Sequence, residues 1–157
     1  MRTILTSGLV VIAGVVSPVA FSTMQAPKLH IPDYRKDPRF AILRKFFEVR
    51  ECPASAYSHV FLEAADSYHL DWRLLPSISF VESTGGKAAR NNNIFGWDSG
   101  RAHFTTPTAG IHAVGYSLSH LSQYKRKSLD QVLATYNPDS EYAQKVKSVM
   151  RRIAPVQ

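Results

Sequence analysis

The chain has 157 residues with 19 Lys and Arg against 12 Asp and Glu, a formal net charge of +7, and a single cysteine. That length supports one small domain with an ordinary core. The lone Cys52 excludes an internal disulfide, and the positive balance points to an anionic polymer or surface as partner.

At the start, Arg2 precedes an apolar run from Ile4 to Val16, which Pro18 breaks. This pattern is that of an export signal, with small residues at Ser17, Ala20 and Ala26 as cleavage positions. None fits the usual rule well, so residues 1–26 are expected to be either a signal peptide or an N-terminal anchor that tethers the protein to a membrane. Pro27, Pro32 and Pro38 then mark an extended spacer over residues 27–38, and the domain is expected over 39–157. Localisation is expected to be exported: periplasm, cell envelope or secreted.

Pro53 to Tyr68 reads as a helix with Tyr57, Phe61, Ala64, Ala65 and Tyr68 inward. A second helix runs from Asp71, as its cap, to Ser83, and Gly85 is expected to supply the left-handed residue that stops it. Leu75, Ile78 and Glu82 share one stripe of this helix, so a carboxyl lies on the core face. Burial and the negative end of the helix dipole both disfavour its ionised form and raise its pKa, as a general acid requires.

Ile94–Trp97 and Ala102–Phe104 flank the turn-forming Asp98-Ser99-Gly100-Arg101 and predict one short β-hairpin. Thr106-Pro107 opens a helix with Ile111, Val114, Leu118 and Leu121 inward. Ser128 and Gln131 form a capping box for a short helix ending near Tyr136. The last helix buries Tyr142, Val146, Val149 and Ile153 and turns Lys145, Lys147, Arg151 and Arg152 to water. The predicted fold class is mainly α, with one short β-hairpin beside a cleft.

The six histidines show no metal-ligand spacing, and no phosphate-binding glycine loop is present. Neither a metal nor a cofactor is expected. The basic clusters Lys125-Arg126-Lys127 and Arg151-Arg152 come without any nucleic-acid fold signature, so no nucleic-acid partner is expected. Cys52 reads as a buried or semi-buried thiol and not as a nucleophile.

The blocks Glu82-Ser83, Gly86-Lys87 and Asn92-Asn93-Ile94-Phe95-Gly96-Trp97, followed by Ala134-Thr135-Tyr136-Asn137-Pro138 and Tyr142-Ala143-Gln144-Lys145-Val146, occur in this order. Together they resemble the glucosaminidase family of peptidoglycan hydrolases, in the lysozyme-like superfamily. The likeness spans roughly residues 54–153, and Tyr136-Asn137 is also similar to an element of lytic transglycosylases. The resemblance implies a helical α+β lysozyme-like domain around a cleft that binds glycan strands. It further implies cleavage of β-1,4 bonds after N-acetylglucosamine by an endo-β-N-acetylglucosaminidase, with Glu82 as acid and Tyr136 beside it. The family often carries a second acid in a longer β-lobe, and this chain's counterpart region is very short.

A glycosidase needs a proton donor and a means of stabilising an oxocarbenium-like transition state. Glu82 is the expected acid. Asp98 as base, Tyr136 through its hydroxyl, or the substrate's own acetamido oxygen would fill the second role. Ser83, Asn92, Asn93, Phe95 and Trp97 are the candidate glycan-binding residues, Trp97 being the better rim position and Phe95 the better core position. The protein is expected to act as a monomer on peptidoglycan. The alternatives are a lytic transglycosylase forming 1,6-anhydro-muropeptides and a non-catalytic wall-binding module.

Overall fold

The computed structural model describes residues 32–155. The export signal or anchor expected over 1–26, and the spacer as far as residue 31, lie outside the described residues. The described part of the spacer is not extended throughout: Asp33 caps a 3-10 turn, Tyr34–Lys36. Asp37 then caps α1, Pro38–Glu48, with Pro38 at a position where its missing N–H removes no helical bond. This helix is not among the elements expected from sequence. Its signals are the Asp-Pro start and the spacing of Leu43, Phe46 and Phe47, which are its buried residues.

The helix expected over 53–68 is two pieces: a 3-10 turn, Pro53–Tyr57, and α2, Ser58–Ser67. The Ser58 hydroxyl donates to the Ser55 carbonyl at 2.9 Å across the join. Phe61, Ala64 and Ala65 are fully buried, whereas Tyr57 and Tyr68 are only half-buried.

The next helix, α3, spans Leu74–Ser83, so it starts three residues after Asp71. Asp71 is not its cap: its carboxylate accepts from the Arg73 amide at 2.9 Å and pairs with the Arg73 guanidinium at 2.6 Å. Arg73 also reaches the Ala154 carbonyl at 2.9 Å, tying the start of α3 to the far end of the chain. Pro76 is the third residue of α3, within the turn whose amides lack helical acceptors anyway, and it leaves the ladder intact. The left-handed stop is Thr84, at φ 53° and ψ 49°, one residue before the expected Gly85. Gly85 and Gly86 continue at positive φ, and a β-branched residue in this region is strained. Gly85 is held there by packing as well: a Cβ on it would stand 2.8 Å from the Cys52 Cβ and 3.2 Å from the Phe47 ring.

No strand forms among the described residues, so the expected hairpin over 94–104 is absent. The Asn93 side chain accounts for this. Its amide donates to the Trp97 carbonyl and its oxygen accepts from the Trp97 amide, both at 3.0 Å; this takes the Trp97 N–H from a strand partner, while the Trp97 carbonyl also accepts from the Gly100 and Ala102 amides as in a closed turn. Asn91, Asn92, Gly96, Asp98, Ser99 and Gly100 all take positive φ and wind the segment into turns. One antiparallel bridge, Arg90 to Asn93, is what remains of sheet pairing.

The remaining helices are α4, Pro107–His120, α5, Leu129–Tyr136, and α6, Tyr142–Ile153. Thr106 caps α4, and the Ser128–Gln131 capping box is formed on both sides. α4 ends one residue before Leu121, which is 38% exposed instead of inward. α6 buries Tyr142, Val146, Val149, Met150 and Ile153, and packs extensively against α3. The core is therefore wrapped around α3, whose Leu75 and Ile78 are fully enclosed. A chain of aromatic contacts links α1, α2 and the 94–97 segment: Phe46 to Phe47 at 5.3 Å, Phe47 to Phe61 at 5.8 Å, and Phe61 to Phe95 at 6.4 Å. Burial of each such ring contributes about 1.5–3 kcal/mol. The described domain is mainly helical, and this packing sets the last turn of α3 against the 94–97 segment. No helix among the described residues is long and apolar enough to cross a membrane.

Candidate active site

Glu82 is the penultimate residue of α3, half-buried as its stripe with Leu75 and Ile78 requires. Burial pushes its carboxyl pKa up, and the nearby Tyr142 hydroxyl offsets part of that by favouring the ionised form. Asp37 and Asp66 move the other way, because the Arg39 guanidinium hydrogen-bonds both.

The carboxyl lies against the backbone of Gly96. A Cβ at that position would fall 2.6 Å from Glu82 Oε2, and Gly96 has φ +59°. Only a bare Cα lets the acid approach so closely. On its other side Gly96 lines a cavity of about 450 Å³, with Trp97, Asp98, Ser99, Leu121, Gln123, Tyr124 and Tyr136. Trp97 forms an aromatic corner there, its ring 5.6 Å from Tyr136 and 6.2 Å from Tyr124.

Tyr136 ends α5 and donates its hydroxyl to the Phe95 carbonyl at 2.6 Å. Burial first, and then the proximity of Glu82, push its phenol pKa well above the ordinary value. Its proton is thus committed to the backbone that precedes Gly96. Tyr142, the first residue of α6, stacks parallel on Tyr136 at 5.8 Å, and burial likewise raises its phenol. Tyr136 and Tyr142 therefore stand near Glu82, Tyr136 and Tyr124 line the cavity, and Glu82 itself is not among the cavity-lining residues.

Of the five residues expected to bind glycan, Trp97 alone lines the cavity. Phe95 is fully buried in the core, with no face for a sugar ring. Ser83 is also buried; its hydroxyl lies 2.7 Å from the Ile94 carbonyl as donor and accepts from the Gly86 amide at 2.9 Å, so it fastens the end of α3 to the 94–97 segment. Asn93 is buried and spent on the Trp97 backbone. Asn92 is exposed at φ 56°, and its amide donates to the Phe104 and Thr105 carbonyls, positioning the entry to α4. Asp98, expected as base or turn-former, is a left-handed turn residue that also lines the cavity, and its carboxylate pairs with Arg101 at 2.7 Å.

Tyr124, Tyr142 and Gly96 are the site residues that the sequence reading does not single out. Tyr142 is legible as the tyrosine opening the Tyr-Ala-Gln-Lys-Val block, but its apolar periodicity assigns it to the core. No local pattern marks Tyr124. Among the described residues, no three His, Cys, Asp or Glu side chains converge where they could hold a metal ion.

Replacing Tyr136 with Phe should lower stability by about 1–3 kcal/mol, because the buried Phe95 carbonyl loses its donor. Thermal unfolding reads this directly. An unchanged melting temperature would mean that the hydroxyl does not brace the 95–97 backbone.

No family model matches this chain, and no curated protein matches it.

Proposed function

We propose that this chain is an exported peptidoglycan hydrolase that cleaves β-1,4 glycosidic bonds after N-acetylglucosamine, in a lysozyme-like arrangement with Glu82 as general acid. The observation that carries this reading is the setting of Glu82. It is a half-buried carboxyl with a raised pKa, pressed against Gly96, which itself lines an aromatic-walled cavity. A carboxyl whose burial favours the protonated form is what a leaving glycosidic oxygen needs. Trp97 offers a sugar ring a hydrophobic face, and Asp98, Ser99 and Gln123 offer it polar partners. The net positive charge draws the protein to an anionic wall. Residues 1–26 supply the export signal or a membrane tether, and the protein acts as a monomer without cofactor.

Proton transfer from Glu82 to the bridging oxygen breaks the bond to the anomeric carbon. Asp98 is the one acid among the cavity-lining residues, and Arg101 holds it. The positive charge that develops is therefore assigned to the substrate's acetamido oxygen, with water completing hydrolysis.

With Asp98 held by Arg101, Glu82 is left as the single acid of the reaction, which favours a second reading, a lytic transglycosylase, in which the muramic C6 hydroxyl attacks instead of water. The two leave different ends. Hydrolysis leaves a reducible N-acetylglucosamine, whereas transglycosylation leaves a 1,6-anhydro ring lighter by one water. Borohydride reduction of digested sacculi followed by mass spectrometry should give reduced N-acetylglucosamine ends. Anhydro-muropeptides as the main product would replace the hydrolase by the transglycosylase, and intact sacculi would leave a wall-binding module.

A further inference from the structure

Tyr142 Oη is one of two side-chain polar atoms among the described residues, with Ser77 Oγ, that are sealed from solvent and close no hydrogen bond of ordinary length, although it stands near enough to Glu82 for a weak one to favour the ionised carboxyl. A buried hydroxyl without a partner is destabilising, so its retention calls for a state of the site that uses it. The ring is fixed: it is 3% exposed and stacks on Tyr136 with an interplanar angle of 5°. The titratable groups that face it are Glu82 from α3, Tyr136 from α5 and Tyr124 from the segment after α4. Glu82 in turn faces Tyr142 on α6, Tyr136 on α5 and Gly96 on the turn segment. The Tyr136 proton is already given to the Phe95 carbonyl, which leaves Glu82 as the carboxylate that Tyr142 can serve.

We propose that Tyr142 is a positioning residue for Glu82, its hydroxyl donating to the carboxylate that exists once Glu82 has given up its proton. This rests on the reading of Glu82 as the acid, and it shifts the supporting role that the sequence resemblance implies for Tyr136 onto its stacked neighbour. The logic is one of two protonation states. A protonated Glu82 suits its half-buried setting and makes no call on a further donor. After proton transfer the same setting disfavours the charge, and a buried hydroxyl hydrogen without an ordinary acceptor lies beside it. Tyr142 thereby stabilises the carboxylate during the lifetime of the sugar intermediate and holds it in place to take a proton from the incoming nucleophile.

The test is a carbon NMR titration of the Glu82 carboxyl in the full chain and in its Tyr142→Phe variant, with the pH profile of sacculus digestion measured on both. Phe keeps the ring and its stack and removes the hydroxyl alone. The Glu82 midpoint should rise by about one pH unit in the variant, and the alkaline limb of the activity profile should follow it. An unmoved Glu82 midpoint in a folded variant would overturn the proposal. Should the variant fail to fold, the unsubstituted protein provides the second measurement. Its Tyr142 ring carbon next to the hydroxyl should step at the Glu82 midpoint, and a flat trace there would overturn the proposal equally. The titration needs no turnover. A shifted midpoint in a protein that never cuts sacculi would support the Tyr142–Glu82 coupling while removing the hydrolase reading.

Discussion

Glu82→Gln should reduce digestion of wall glycans by about 10²- to 10⁴-fold while leaving the fold intact, because an amide keeps the shape of the side chain and cannot act as the acid. The same variant carries a stability signature. Burial raises the Glu82 pKa above its unfolded value of 4.5, so the folded protein holds this proton more tightly than the unfolded chain does. Between those two pKa values the unfolded state binds fewer protons, and the free energy of unfolding falls as pH rises. The Gln variant has no such dependence. Its melting temperature should gain on the parent protein from about pH 4.5 upward, and the gain should vanish below that. Near-normal wall lysis by a folded Gln variant would remove Glu82 from the chemistry. A pH-independent difference in melting temperature would mean that its carboxyl is not held in a disfavoured charged state.

Gly96→Ala is expected to be nearly as damaging to activity, although it adds only a methyl group. That methyl would stand 2.6 Å from Glu82 Oε2 and 3.4 Å from its Cδ, so the acid must move. A displacement of about 1 Å at a reacting group can cost on the order of 10²-fold in rate. Part of the effect is backbone strain, since an L-residue at φ +59° is disfavoured by about 1–2 kcal/mol. Gly100→Ala separates the two contributions. Gly100 has φ +79° with no atom within 4 Å of the added methyl, so its variant should lose comparable stability and keep its activity. Equal activities for the two alanine variants would show that the Gly96 contact does not position Glu82.

The parts of this molecule that repeat in sequence were legible there. The stripe of Leu75, Ile78 and Glu82, the capping box at Ser128 and the apolar face of α6 lie as their periodicity predicts. Glu82 was singled out by the Glu-Ser block that follows its apolar stripe, since the stripe alone would not distinguish it from a surface carboxyl, and its half-burial agrees with the stripe. What failed was the segment over 94–104, where the turn-forming Asp98-Ser99-Gly100-Arg101 between Ile94–Trp97 and Ala102–Phe104 suggested a hairpin. One side chain, Asn93, satisfies both backbone groups of Trp97, and such a contact has no periodicity to read. The same blindness affected the binding candidates: Ser83, Asn92 and Asn93 are polar residues in a motif, and in the structure their polarity is spent on the protein's own backbone. Tyr124 and Gly96 enter the site through long-range packing, which single-sequence patterns do not encode.

Cys52, wedged against Gly85, gives the molecule a clock. The thiol is 2% exposed, its Sγ lies 3.5 Å from the Arg50 carbonyl, and burial pushes its pKa up, so in the closed protein it is both shielded and poorly nucleophilic. It becomes reactive only when the corner joining α1 to the end of α3 separates. Alkylation in native buffer would therefore count those separations one thiol at a time, at the helix end that carries Glu82. With no other cysteine in the chain, every labelled molecule reports that one event.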